Sequence, residues 1–156
     1  NIILIDINIK KLKKNIFFNN NKKKILIIKK DLLKLNFNKL KINIDLIFHA
    51  ASIASPSYYR KFPLETALSN TEILRKILEF SKKKKVKRLL FFSSSEIYGN
   101  PEIKQIPTSE DYNGNVSPVG PRSCYDESKR FGETLCYIYA KKYNSKSTAL
   151  KEEYKF

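Results

Sequence analysis

Glycine is scarce in this sequence, four in 156 residues, and nowhere do they form the G-x-x-G-x-x-G turn that cradles a pyrophosphate. Cysteine is scarcer. Cys124 and Cys136 are too few for a disulfide framework or a four-ligand zinc site, and they read as ordinary intracellular thiols. Cys124 adjoins Tyr125, but the single histidine, His49, is far away in sequence, so no base partner marks it as a nucleophile. No metal site is expected. No apolar run approaches the roughly 18 residues needed to span a membrane. Asn1–Asp6 is too short and wrongly flanked for a signal peptide, so a cytoplasmic location is the default expectation.

Acidic residues are also few, 15 against 31 Lys+Arg, for a net charge of +16. Such a charge attracts polyanions. Here the excess is mostly lysine scattered with Asn and Ile through every segment, without an Arg-rich stripe, zinc-finger or RNP-like motif. Lys82–Lys85 falls between an expected helix and strand, where a solvated turn explains it. Nucleic acid is therefore not an expected partner. What is present is enough to fold: 42% apolar residues can bury a core, and the length suits one domain or a piece of one.

Short β-branched runs at Ile2–Ile7 and Ile25–Ile28 predict strands, the first carrying Asp6 near its end and the second followed by Asp31. Lys10–Lys24 predicts a poor helix plus loop, and Leu32–Ile42 an irregular helix. Asp45–Ala51 reads as a buried strand, and residues 52–63 as a loop with two prolines. Leu64, Ala67, Leu68, Thr71, Leu74 and Leu78 recur at helical steps to about Ser81. Val86–Phe92 is the next strand and ends in Ser93-Ser94-Ser95. Strand, helix and strand at these lengths make a parallel βαβ unit. Residues 100–122 lack periodicity, Tyr125–Tyr143 fits a helix, and the tail from Ser145 is unpatterned. In open α/β sheets ligands sit outside the carboxyl ends of the strands. Asp6, Asp31, His49-Ala50-Ala51 and Ser93–Glu96 all fall there.

Tyr125 and Lys129 lie four apart on the predicted helix and share a face. A nearby ammonium favours a phenolate over the ordinary phenol of pKa about 10. A phenolate so poised can take a proton from a sugar hydroxyl. The serines after the strand offer a hydroxyl to the same substrate oxygen, or equally a cap for a following turn. The strand context and the Tyr/Lys helix together favour catalysis.

At these residues the sequence resembles the extended short-chain dehydrogenase/reductases, the NAD-dependent epimerases and dehydratases of nucleotide sugars. Among them it is most similar to UDP-glucuronate decarboxylases. The resemblance runs from about Asp45 to Tyr143. It is carried by His49-Ala-Ala-Ser-Ile-Ala-Ser-Pro56, Asn70-Thr71, Ser94-Ser-Glu-Ile-Tyr-Gly99, Ser109-Glu-Asp-Tyr112, Gly120-Pro-Arg-Ser-Cys-Tyr-Asp-Glu-Ser-Lys-Arg130 and Glu133-Thr134. It implies an α/β fold, a partial Rossmann-type doubly wound parallel sheet. Ser94, Tyr125 and Lys129 become the catalytic triad, with Tyr125 as base and Lys129 also on the nicotinamide ribose. Ser95 and Glu96 take the reaction-specific positions. The related 4,6-dehydratases carry Asp before the Glu, so Ser95 points to decarboxylation. The role of Glu96 stays open between positioning and proton handling. Arg122 suits a substrate carboxylate or phosphate, or is a plain surface arginine.

For the cofactor, NAD, the resemblance implies Asp6 on the ribose hydroxyls and Asp31 near the adenine. Ala50, Ala51 and Ser52 line the cofactor, Asn70 steadies the sheet beside it, and Ser93 approaches the nicotinamide. His49 reads as a satisfied strand-end histidine, and Tyr98 as a packing residue. The family's first strand, glycine-rich turn and C-terminal substrate domain have no counterpart in the sequence. Residues 1–144 are thus expected to be a partial NAD-binding domain, truncated at both ends, with 145–156 a divergent polar tail replacing the next strand. Weak NAD binding and no turnover follow. Alternatives are a sugar epimerase or 4,6-dehydratase, and a non-catalytic remnant acting as an interaction module. A homodimer through the Tyr125–Tyr143 helix is a further implication, as that helix commonly lies in the family's dimer interface.

Overall fold

The structure is a computed structural model that describes residues 1–10, 20–143 and 147–150. The chain divides into two compact units, Asn1–Lys39 and Leu40–Phe156, so the span 1–144 expected as one domain covers the first and most of the second.

In the first unit, β1 (Ile2–Asp6) pairs in parallel with β2 (Ile25–Lys29), Ile2 opposite Ile25 and Asp6 opposite Lys29. The β-branched runs give the strands, but none of their residues is fully buried. The helix expected over Leu32–Ile42 is instead a pair of 3-10 turns, Leu32–Lys34 and Phe37–Lys39. Asp31 accepts from Leu33 N at 2.9 Å and Asn36 from Asn38 N at 3.0 Å. Side chains that capture backbone N–H groups this often deny them to an α-helical ladder. Of the weak helix expected from Lys10, residues 11–19 lie outside the described residues, and Lys22–Lys24 is a 3-10 turn.

The second unit holds a parallel sheet in the order β3 (Leu46–His49), β4 (Arg88–Phe92), β5 (Ser147–Leu150). Three helices connect β3 to β4. The first, α1 (Pro56–Lys61), stands where a loop was expected, because Pro56 occupies its first turn, where a fixed φ and a missing N–H cost nothing. The helix expected over 64–81 divides at Thr71 into α2 (Pro63–Asn70) and α3 (Glu72–Lys84). Thr66 and Thr71 hydroxyls donate back to the Phe62 and Ala67 carbonyls at 2.7 and 2.8 Å, contacts of the kind that bend helices. Lys85, at φ 53°, ends α3 in the left-handed region.

The core forms where the apolar face of α3 (Ile73, Leu74, Ile77, Leu78, Phe80) closes with Leu89 and Phe91 of β4. β3, expected to be buried, turns Leu46 and Phe48 to the surface and buries only His49, since it is an edge of the sheet. The helix α4 (Ser123–Tyr143) packs on α2 and α3 and against β4. Gly132 lets it approach: an added Cβ would sit 2.6 Å from Phe91 ring carbons and 3.2 Å from the Asn70 carbonyl. The tail expected to lack a strand supplies β5, with Ser147 opposite Leu89. Its ladder is made of backbone groups, which every residue but proline carries. Residues 100–122 are mainly loop as expected, fastened by a bridge between Gly99 and Asn115 and by Arg130 Nη1, which donates to the Ile97 and Asn113 carbonyls at 2.8 Å each.

Candidate active site

The carboxyl end of β4 delivers Phe92 and the serines that follow. Ser93 and Ser94 are both buried, and Ser94 Oγ accepts from Glu96 N at 3.3 Å, capping the 3-10 turn Ser95–Tyr98. The cap reading of these serines therefore holds for Ser94, and its O–H donor remains for another acceptor. Both alternatives raised by the sequence are compatible in one residue.

α4 brings Tyr125 and Lys129 to this strand end. Lys129, almost entirely buried, donates from Nζ to the Phe92 carbonyl at 2.5 Å. The same ammonium lies 4.8 Å from the Phe91 ring centre and 5.6 Å from that of Tyr125. Buried ammonium groups are costly unless hydrogen-bonded and faced by electron-rich groups, and here both conditions are met. Tyr125 is buried too, its ring stacked on Tyr59 at 5.3 Å between centroids and 12° between planes. Ser94, Lys129 and Tyr125 thus occupy one end of the β4–α4 pair.

Asn70 stands at the end of α2, fully buried, and its Nδ2 donates to Ser128 Oγ at 3.0 Å; Ser128 in turn donates to the Tyr125 carbonyl at 2.9 Å. The Asn70–Ser128 pair ties the end of α2 to the Tyr/Lys helix. Sequence reading missed Ser128 and Tyr59, since neither contact is local. His49 is the satisfied histidine expected: its Nε2 donates to the Ser69 carbonyl at 3.1 Å. Burial pulls its pKa down to about 4, with Lys129 adding to the fall and the Ser69 carbonyl opposing it. Tyr98 is buried beside Tyr112, as expected of a packing residue. Cys124 Sγ donates to the Tyr59 carbonyl and burial raises its pKa, while burial pushes Cys136 up to about 12; neither thiol is activated.

Arg122 pairs with Glu96 and reaches Asp126 Oδ2 at 3.4 Å. Asp126 was not singled out in the sequence, and the residue type alone gives no sign that it is buried. Its pKa is raised, by burial first, against the pull of Arg122. Ala50, Ala51 and Ser52 follow β3. Asp6 and Asp31 belong to the first unit: Asp6 ends β1 and accepts from Asn8 N at 2.6 Å, and Asp31 caps a 3-10 turn.

Polar atoms with no hydrogen-bond partner among the described residues include Ser52 Oγ, Ser93 Oγ and Asn70 Oδ1. Buried groups in that state cost about 1–3 kcal/mol each unless a ligand or water satisfies them. Among the described residues no cluster of His, Cys, Asp or Glu could hold a metal ion. No helix among them is long and apolar enough to cross a membrane.

A family model described as the NAD dependent epimerase/dehydratase family matches residues 9–152, and the chain belongs to that family. Its relatives include UDP-glucuronic acid decarboxylase 1 of Danio rerio, 48% identical over 102 residues, which are 65% of this chain and 24% of that protein. UDP-glucuronic acid decarboxylase 4 of Arabidopsis thaliana is 35% identical over 139 residues, 89% of this chain and 30% of the relative. The chain thus spans roughly a quarter of the relatives' length. Among solved structures, UDP-glucuronic acid 4-epimerase of Bacillus cereus in complex with NAD superposes with a TM-score of 0.69 at 24% identity, covering 96% of this chain and 47% of that one. UDP-glucose 4-epimerase of Thermotoga maritima gives 0.71 at 21%, covering 97% and 55%. These likenesses establish the Rossmann-type fold, and the chain matches about half the length of those two solved chains.

Proposed function

We propose that this chain carries the catalytic segment of an NAD-dependent enzyme that oxidises a UDP-uronic acid at C4, releases carbon dioxide and reduces the product again. The observation that carries the reading is the meeting of Lys129, Tyr125 and the serines at the end of β4. Tyr125 takes the C4 hydroxyl proton, Lys129 supplies the positive charge that stabilises its phenolate, and Ser94 donates to the same oxygen. Bound NAD supplies the two-electron acceptor and donor at C4. The 4-keto uronic acid is a β-keto acid, whose carbonyl accepts the electron pair left by departing carbon dioxide. The enolate takes a proton from water at C5, hydride returns to C4 and Tyr125 gives its proton back to the C4 oxygen, so no acid for a leaving hydroxyl is needed. Ser95, in place of the dehydratases' Asp, agrees with that.

The residues fit the nicotinamide end of the cofactor: Ser93 and Ser52 carry unpartnered hydroxyls, and Lys129 a buried ammonium. Ala50, Ala51 and Asn70 would serve the cofactor's flank. The 156 residues contain no glycine-rich pyrophosphate turn, so we expect the isolated chain neither to bind NAD appreciably nor to turn over. A micromolar Kd by isothermal titration would contradict this.

The activity is tested by grafting residues 40–143 into the Danio rerio relative in place of its matching segment and supplying UDP-glucuronate labelled at C6. Labelled carbon dioxide is the expected product. A labelled epimer without gas release would favour a 4-epimerase, the activity named for the structural neighbours. We further propose that α4 pairs two copies of the chain, through the exposed Phe131, Tyr137 and Ile138. Size-exclusion chromatography showing only monomer at tens of micromolar would refute it.

A further inference from the structure

Arg122 sits between two carboxylates of unequal character. The Glu96 side chain keeps 39% of its surface exposed and the Asp126 side chain only 7%, with Arg122 itself at 48%. An ion pair open to water is worth about 0–1 kcal/mol, so a dissolved anion can compete for it. A carboxylate shut away from water holds its cation more firmly, because separating them strands a buried charge. Asp126 is of the second kind: it is buried in α4 beside Tyr125, and its Oδ1 has no hydrogen-bond partner among the described residues. Glu96 is of the first kind and stands two residues beyond Ser94, in the turn at the end of β4. A cavity of about 180 Å³ lies against Arg122 and Asp126, walled by Gly99, Asn100, Val116 and Gly120. It gives a group the size of a carboxylate room beside the guanidinium.

We propose that Glu96 is a placeholder on Arg122, displaced by the carboxylate of an acidic sugar, while Asp126 keeps the guanidinium in position. This rests on the uronic acid reading above and deepens it. The fork can face a carboxylate in either state, so its charge is balanced before and after exchange. Glu96 is released beside the reacting centre only when the ligand brings a carboxylate of its own. A neutral hexose leaves the Glu96–Arg122 pair intact. The device therefore selects acidic sugars and links their binding to the freedom of Glu96, for which the sequence left positioning and proton handling open.

The test uses the full 156-residue chain, carboxyl-labelled at Asp and Glu and labelled at arginine Nε, titrated with glucuronate and, as control, glucose under NMR. Arg122 Nε and Glu96 Cδ are expected to shift along one saturation curve with glucuronate, with Asp126 Cγ unmoved. Glu96→Gln removes the competing carboxylate and is expected to tighten glucuronate about threefold. Should Arg122 respond while Glu96 stays still, or should the variant bind more weakly, displacement is wrong and the uronic acid reading survives. An Arg122 resonance indifferent to glucuronate in both proteins removes Arg122 from that reading as well. An equal response to glucose refutes the selectivity.

Discussion

Replacing Gly132 by alanine tests how the active-site helix is seated. The new Cβ would stand 2.6 Å from both Cε1 and Cζ of Phe91. Phe91 has 0% exposure, and its ring lies 5.8 Å from the His49 ring and 4.8 Å from the Lys129 ammonium. To step aside it must disturb both. Overpacking of this sort costs about 1–3 kcal/mol, whereas Gly to Ala inside a helix returns about 1 kcal/mol. The clash wins because the ring is enclosed, and a net loss of up to about 2 kcal/mol, centred near about 1 kcal/mol, is expected. The chain has no tryptophan, and its nine tyrosines all fall after residue 40. Near-UV circular dichroism read in the tyrosine band, to the red of phenylalanine absorption, therefore reports the second unit during urea unfolding. With a slope of about 1–2 kcal/mol/M, the midpoint should fall by about 1 M. A Gly132→Ala protein as stable as the parent would refute the close seating of α4 on Phe91. Adding Phe91→Leu should recover part of the loss if the two positions are in contact.

His49 gives a pH test. Its folded pKa of about 4 lies below the unfolded value of about 6.5, so the unfolded chain binds the extra proton. Its contribution is complete above pH 6.5 and is lost as pH falls toward 4, amounting to about 2 kcal/mol between pH 7 and 5. As the only histidine, it gives one ring-proton titration by NMR, and a midpoint near 6.5 would contradict its burial. Tyr125→Phe removes a hydroxyl but keeps the ring on Tyr59. In the grafted enzyme it should lower carbon dioxide release at least about 100-fold while changing stability of the chain by no more than about 1 kcal/mol. A variant that keeps its rate would remove Tyr125 as the base.

Much of the site was legible in the residues because its parts are local. Tyr125 and Lys129 share a face by helical spacing alone, and Ser93–Glu96 follow a strand whose Leu89 and Phe91 are apolar enough to be buried. Elements were misread where a local rule was outvoted. The prolines at 56 and 63 suggested a loop but occupy helix starts, and the apolar steps through Thr71 concealed a break made by threonine hydroxyls. The unpatterned tail gave no sign of β5, because strand pairing recruits the backbone, which every sequence possesses.

By itself, the sequence determined which chemistry the chain offers: a phenol and an ammonium one helical turn apart, hydroxyls at a strand end, and too few glycines for a pyrophosphate turn. Only the tertiary structure decided which groups meet. That Lys129 reaches the Phe92 carbonyl, that Asn70 steadies α4 through Ser128, and that Arg122 is divided between an exposed and a buried carboxylate all depend on contacts between distant segments. The physical reason is that burial and ion pairing are properties of the packed neighbourhood, which spacing along the chain does not encode.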